Sequence, residues 1–294
     1  MKPPALLSCG EVLWDLFPDG ARFGGAPANF ACHAALQGAR VALLSAVGED
    51  ARGRDAVAIL ARFGVETTLV QHLTNAPTGA VTVAVDAAGK PSFTIEAGAA
   101  WDQVAWTPQL EAHLATVDAV YFGTRGQRGA VSRGTFRRVL QAAQTRGLPR
   151  VLDVNLRRPF CDPALLRESV AAASVLKLSD DELAEVAGVC GIASGRAPAD
   201  MLREFCRHFA LDLVALTRGA DGALLVSPTE IVDQPGIPTV VRDTVGAGDS
   251  FTAALTVGLL RSDPLKTIAR RACEIAAVVC AHAGAVPEPP PRST

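Results

Sequence analysis

The sequence predicts an α/β fold, with a mostly parallel sheet covered by helices on both faces and a small β element set apart from it. Three observations lead there. Apolar runs of strand length alternate with helical segments along most of the chain, the pattern that produces parallel sheets buried on both sides. Helical periodicity is missing from about Val65 to Trp106, where β-rich runs stand instead. Apolar residues make up 49% of the 294 residues, ample for a large core.

Taken in order, Ala5 to Cys9 is a short buried strand ending at Gly10. Trp14 to Phe17 precedes a turn at Pro18-Asp19-Gly20 and adds a strand to the small β element. Ala28 to Gln37 is a helix stopped by Gly38, Val41 to Val47 a strand, and Arg52 to Phe63 a helix stopped by Gly64. Gly79 to Val85 and Ser92 to Ile95 are strands joined through Ala87-Ala88-Gly89-Lys90, like a hairpin. Asp118 to Phe122 is a strand, and Ser132 is expected to cap a helix ending at Gly147. Strands at Val151 to Val154 and Val175 to Leu178 flank a helix from Pro163 to Ala173. Ser179 then caps the helix Asp180 to Ala187. A helix from Pro198 to Phe209 leads to a strand at Leu213 to Thr217 and two short β runs, Ala223 to Ser227 and Glu230 to Val232. Helices at about Gly246 to Leu260 and Pro264 to Ala283 close the body, and the tail Pro287 to Thr294 is rich in proline.

Composition narrows the function. The 28 basic and 30 acidic side chains nearly cancel, which argues against a nucleic-acid surface. Aromatics are only 5%, too few for base-stacking platforms. The seven cysteines are odd in number and lack CxxC spacing, so neither a disulfide framework nor a zinc site is expected. The N-terminus shows no signal pattern, and no uncharged apolar stretch reaches the ~20 residues that span a bilayer. A soluble, cytoplasmic protein without membrane partners is the expectation.

In an open parallel sheet, ligands bind beyond the carboxyl ends of the strands. Those positions here are polar and glycine-rich: Gly10-Glu11 with Asp15, Asp153 to Arg157, Lys177 to Glu182, and Thr217-Arg218-Gly219. Each also suits a plain cap or turn; together they suggest one shared site.

The sharpest segment is Asp243-Thr244-Val245-Gly246-Ala247-Gly248-Asp249-Ser250-Phe251. Unpaired amides at a helix start, with the helix dipole, bind anions, and glycines allow close approach. Asp249 puts a carboxylate beside that anion site. A carboxylate repels ground-state phosphate, so it makes sense as a base for a hydroxyl attacking phosphorus. An ordinary Asp-capped helix start is the alternative. No GxxxxGK[ST] loop exists, and the glycine run lacks the position and third glycine of a dinucleotide fingerprint, which counts against a nicotinamide oxidoreductase. Near the other end, Gly24-Gly25-Ala26-Pro27-Ala28-Asn29 opens a helix. Asn29 offers a donor and an acceptor to a sugar hydroxyl, and Asp15 can accept two more hydrogen bonds. Arg125, Gln127 and Arg128 follow a strand and either reach the ligand or sit in an exposed loop. The five histidines are scattered without ligand spacing, and His33 reads as structural.

The early Gly-Gly-Ala-Pro-Ala-Asn and the late Asp-Thr-Val-Gly-Ala-Gly-Asp together resemble the paired signatures of ribokinase-like (PfkB-type) sugar kinases. The resemblance runs from Gly10 to about Pro287. Gly10 to Asp15, Tyr121 to Thr124, Asp153 to Arg157 and Lys177 to Asp180 look most like the fructokinase branch. The resemblance implies a three-layer α/β/α ribokinase-like core in one domain, with a β-sheet lid formed by about 12–24 and 78–100. It implies an ATP-dependent kinase acting on a sugar's primary hydroxyl, fructose first, with ribose, nucleosides and 2-keto-3-deoxygluconate as alternatives. A non-catalytic sugar-binding or regulatory protein on the same scaffold is a further alternative, disfavoured by the intact Asp249 and glycine loop.

Residue by residue, Asp249 matches the catalytic base and Gly246, Ala247 and Gly248 the anion hole. Asp15, Gly24, Gly25 and Asn29 match sugar-binding positions, with Phe93 an apolar wall on the lid. Arg157 would hold the transferring phosphate or a sugar hydroxyl. Lys177, Thr217, Gly219 and Gly222 fall on the nucleotide side, where Ala276 to Gly284, including Ala277 and Cys280, would flank the adenine. Glu182 matches a carboxylate that orders Mg²⁺ through water. Asp243, with Val245, would help hold a monovalent cation such as K⁺. Many relatives have Asn where this chain has Ser179, which leaves Ser179 either a cap, the favoured reading, or a phosphate contact. Exposed edges of an open lid sheet would invite a homodimer through paired lids.

Overall fold

A computed structural model of the chain describes residues 2–85, 91–156 and 162–287. In chain order the elements are β1 (Ala5–Cys9), β2 (Leu13–Phe17), β3 (Gly20–Gly24), α1 (Ala26–Leu36), β4 (Arg40–Gly48), α2 (Ala51–Arg62), β5 (Val70–Leu73), β6 (Gly79–Val85), β7 (Pro91–Ile95), α3 (Pro108–Leu114), β8 (Ala119–Gly123), α4 (Ala130–Thr145) and β9 (Arg150–Asp153). They continue with α5 (Pro163–Ala172), β10 (Val175–Ser179), α6 (Asp180–Cys190), α7 (Pro198–Phe209), β11 (Leu213–Thr217), β12 (Ala223–Val226), β13 (Ile231–Gln234), α8 (Ala247–Leu260) and α9 (Leu265–Cys280).

Nine strands form one sheet in the order β13-β12-β11-β10-β9-β8-β1-β4-β5. The strands from β11 to β5 run parallel, and β12 and β13 return antiparallel at one edge. The central strands are unbroken apolar runs because both faces are covered. On one face Phe122, Leu152 and Leu176 pack with Phe136 of α4 and Phe205 of α7. On the other, Tyr121, Val151 and Val175 meet Phe30 of α1 and Phe251 of α8. Helix α8 is buried from Asp249 to Gly258, as a helix apolar all round its axis must be. It lies between α1 and α9.

A second sheet, in the order β3-β2-β6-β7, stands apart. Two antiparallel pairs, β2 with β3 and β6 with β7, are joined by a parallel contact of β2 with β6. Arg128 fastens its exit to the body: the guanidinium donates to both oxygens of Asp102 at 2.7 and 2.8 Å and lies 3.8 Å over the Trp101 ring.

Four local expectations change. The β-rich stretch after Val65 is divided: β5 extends the large sheet beside β4, and only β6 and β7 join the small one. Helix α3, capped by Thr107, was not read from the sequence. Helix α4 starts earlier than expected, with Gly129 as its N-cap. A Cβ on Gly129 would lie 2.3 Å from the Asp102 carbonyl, so only glycine fits there. Ser132 is therefore inside the helix, donating to the Trp101 carbonyl at 2.7 Å and accepting from Val104 N at 2.8 Å. The hairpin turn at 87–90, Arg157 and the tail after Pro287 lie outside the described residues. No described helix is long and apolar enough to cross a membrane. Six described cysteines are free thiols.

Candidate active site

The carboxyl ends of β1, β8, β9, β10 and β11 point the same way, and the first turns of α8 reach those of β9 and β10. At that start Gly246 takes a left-handed conformation, φ 82°, as N-cap. A Cβ there would lie 2.2 Å from the Ala285 carbonyl oxygen, so the chain can turn only because the residue is glycine. Asp249 follows in the first turn, 9% exposed. Helix α1 begins at Gly25, φ 107°, whose missing side chain leaves room for the Glu11 carbonyl. Its Asn29, 4% exposed, donates from Nδ2 to Asp249 Oδ2 at 2.8 Å. The two glycine signatures at opposite ends of the chain therefore meet through one hydrogen bond.

Beneath them lies a buried polar layer. Asp153, at the end of β9, stands in register with Lys177 of β10. Asp153 Oδ1 accepts from Lys177 Nζ at 3.1 Å and Oδ2 from Thr252 Oγ1 of α8 at 2.9 Å. Lys177 Nζ lies 3.0 Å from where a Gly248 Cβ would be, directly behind the anion-site turn. Burial pushes the Asp153 carboxyl up to about 6, with Lys177 pulling it down and Asp249 and Glu182 adding to the rise. Burial alone would favour the neutral Lys177 amine, but Asp153, Glu182 and Asp249 outweigh it and hold the ammonium above its ordinary value. The pair is charged at neutral pH.

Among the enclosed polar atoms without a hydrogen-bond partner in the described residues, three lie around Asp249: Asn29 Oδ1, Glu11 Oε2 and the Tyr121 hydroxyl. Burial, then Asp153, Asp249 and Glu11, raise the Tyr121 phenol well above its usual value, so it stays an O–H donor. Burial also raises Glu11, opposed chiefly by Arg125, 3.9 Å away. Buried polar atoms without partners are costly, and this group surrounds Asp249. Asp15, in β2, lies over Gly24, where a Cβ would meet its Oδ2 at 2.7 Å.

The nucleotide-side candidates gather at the other flank of α8. Thr217 ends β11; Gly219, φ 52°, has open space on its Cβ side, while Gly222, φ 86°, packs against Gln234 and Gly236. Arg242 N and Asp243 N donate to the Cys280 carbonyl at 2.8 and 3.3 Å, which lays this segment beside Ala277 and Cys280. Asp243 Oδ1 accepts from Val245 N and Oδ2 from Gly284 N, both at 3.0 Å. Val240, Val241, Val245 and Val278 are all exposed on this flank.

Other candidates sit elsewhere or are otherwise engaged. Gln127 is buried and donates to the Gly123 carbonyl and Ser169 Oγ, both at 3.0 Å, toward α5 rather than α8. Ser179 is the N-cap of α6, and Glu182 Oε2 accepts from its N and Oγ at 2.8 and 2.9 Å. Glu182 Oε1 accepts from Leu156 N at 2.6 Å. Phe93 is on β7, opposite Val83.

The comparisons with known proteins give this geometry its family. The model of the pfkB family of carbohydrate kinases matches residues 20–291. The chain belongs to that family. It is 30% identical over 260 residues to a fructokinase of Klebsiella pneumoniae, covering 85% of this chain and 82% of the relative. It is 29% identical over 264 residues to the aminoimidazole riboside kinase of Salmonella typhimurium, covering 86% and 80%. An uncharacterized sugar kinase of Pyrococcus horikoshii, solved in complex with ATP, superposes with a TM-score of 0.81 at 27% identity, covering 95% of this chain and 93% of that one. The chain is thus a sugar kinase of the pfkB family with the ribokinase-like α/β fold, a phosphotransferase.

Thr252 is not legible in the sequence as a site residue, and Asp153 enters there only as the first residue of the polar strand end Asp153 to Arg157, with no role of its own. The available signal is period-two alternation: Val151 and Val175 face the apolar layer under α8, so Asp153 and Lys177, two residues on, place charge where apolar residues belong. Replacing Lys177 by Met leaves Asp153 buried without its counter-charge. The expected loss is about 3–5 kcal/mol in denaturant unfolding, with most of it recovered when Asp153→Asn is added.

Proposed function

We propose that this chain transfers the γ-phosphoryl group of ATP to the primary hydroxyl of a small sugar, with fructose the first candidate. The observation that carries the reading is Asp249 in the first turn of α8, oriented by Asn29 and flanked by the Gly246–Gly248 amides. A carboxylate beside an anion-binding helix start serves a reaction in which a hydroxyl must lose its proton as it attacks phosphorus.

The sugar lies between Asp15, Gly24, Gly25, Asn29 and Asp249, where the unpartnered atoms of Asn29, Glu11 and Tyr121 supply two acceptors and one donor for hydroxyls. Asp249 takes the proton from the attacking hydroxyl. The Gly246, Ala247 and Gly248 amides offset charge on the transferring group, with Lys177 behind them and Arg157 in the supporting role that the family resemblance gives it. ATP lies along Thr217, Gly219 and Gly222, its base against the exposed valines and the end of α9. The small sheet, carrying Asp15 and Phe93, acts as a lid that keeps out water, which would otherwise compete for the phosphoryl group.

Three carboxylates, Asp153, Glu182 and Asp249, surround the single Lys177 ammonium. That surplus of negative charge fits Mg²⁺ brought in with the phosphates. In this reading the cation is bound largely through phosphate and water. Glu182 and Asp153 would steady its waters, and the ion would neutralise phosphate charge.

An ADP-release assay across fructose, ribose, glucose, 2-keto-3-deoxygluconate and adenosine tests the reading. Fructose is expected to give the highest kcat/KM. The 29% identity to an aminoimidazole riboside kinase makes a riboside the second candidate, and preference for one would move the substrate there.

A further inference from the structure

His33 lies one turn after Asn29 on α1, so both side chains leave the same face of the helix. Its ring is 3% exposed, and Nε2 is 2.9 Å from the Ala285 carbonyl oxygen. A carbonyl only accepts, so Nε2 carries the proton and the ring is the donor. That same carbonyl is the atom 2.2 Å from where a Gly246 Cβ would stand. The Ala285 peptide is therefore packed between the His33 ring and the turn that opens α8.

Next door, Gly284 N donates to Asp243 Oδ2, but that bond joins the loop only to the segment leading into the turn. His33 is what joins it to α1. Asn29, meanwhile, holds Asp249 at the other end of the same turn. One face of α1 thus grips the segment Gly246–Asp249 at both ends, directly through Asn29 and through Ala285 by His33.

We infer that His33 is a positioning residue for phosphoryl transfer, holding the Ala285 peptide against Gly246 so that the anion-site amides keep their geometry. Its link to the reaction rests on the function proposed above; the clamp itself does not. The hydrogen bond of the His33 ring goes to Ala285 and not to Asp249 or the glycine amides, so its effect is on their placement. Displacing catalytic groups by about an ångström costs up to about a hundredfold in rate while leaving much of the binding intact.

The test compares His33→Phe, →Gln and →Asn in the full chain. Phenylalanine fills the ring's space without a donor, glutamine places an amide N–H at nearly the reach of Nε2, and asparagine falls short by one carbon. Amide hydrogen exchange is read at Gly246–Asp249 and Gly284–Val286, and kcat and both KM values are read with Mg-ATP and the preferred sugar. In His33→Phe, exchange at both segments is expected to quicken about tenfold or more and kcat to fall about tenfold or more, with each KM within about threefold of the parent. Glutamine should restore both readouts and asparagine should not; this contrast decides the matter if the Phe variant fails to fold. Parental exchange and kcat in His33→Phe, or a Gln variant as damaged as the Phe variant, would overturn the inference. A parent chain that phosphorylates none of the sugars overturns the proposed function instead, and the exchange comparison still decides whether the clamp exists.

Discussion

Asp249→Asn is expected to lower kcat by about 10²–10⁴-fold, the usual worth of a positioned general base, while both substrates still bind. The substitution is nearly isosteric. The asparagine Oδ1 can still accept from Asn29 Nδ2, so the bond between α1 and α8 survives and the protein should remain folded. What disappears is the capacity to take a proton from the attacking hydroxyl. Losing a negative charge beside the anion site should, if anything, strengthen nucleotide binding. Calorimetric titration with ATP and sugar, alongside steady-state rates, separates the two effects. A variant whose kcat stays within about threefold of the parent would remove Asp249 as the base.

Gly246→Ala is expected to cost about a hundredfold or more in kcat, comparable to losing an oxyanion-hole donor. Two penalties coincide at this position. The residue sits at φ 82°, which disfavours any side chain by about 1–2 kcal/mol. The added Cβ would also press on the Ala285 backbone, with contacts of 2.2, 2.7 and 2.8 Å. Backbone cannot swing aside as a side-chain tip can, so the turn and the Ala285 segment must separate. Gly248→Ala makes the informative contrast. Its Cβ would meet only the Lys177 ammonium at 3.0 Å, the mobile end of a long side chain. The measurement is kcat and thermal midpoint for both variants, with Gly246→Ala the more damaged. Equal, mild effects would show that the Gly246 turn is not the rigid part of the anion site.

How much of this could be read from the chain beforehand depended on whether the signal was local. Helices bracketed by their own punctuation, such as α2 between Asp50 and Gly64 or α7 opening on Pro198, follow from capping, proline placement and periodicity. The segment around Gly246 stood out because its glycines, its carboxylate and its helix are consecutive. The division of the β-rich stretch was not local. Strand β5 belongs to the large sheet because of its partner β4, and nothing within Val70–Leu73 says so. Ser132 looked like a cap by residue type, yet its hydroxyl is drawn to Trp101 and Val104, about thirty residues earlier in the chain. The Asp153–Lys177–Thr252 layer and the contact of His33 with Ala285 are likewise products of tertiary packing. A buried histidine on an apolar helix is ordinary until the peptide it touches proves to be the one that backs Gly246.

The central claim is that a hydroxyl of a small sugar attacks the γ-phosphorus of ATP over the start of α8. Phosphorus NMR of the parent chain incubated with Mg-ATP and fructose tests it most directly. The γ-phosphate signal of ATP is expected to give way to a phosphomonoester coupled to the sugar's CH₂ protons, matched by ADP and dependent on Mg²⁺. Appearance of free phosphate alone, or unchanged ATP with every sugar offered, would contradict it.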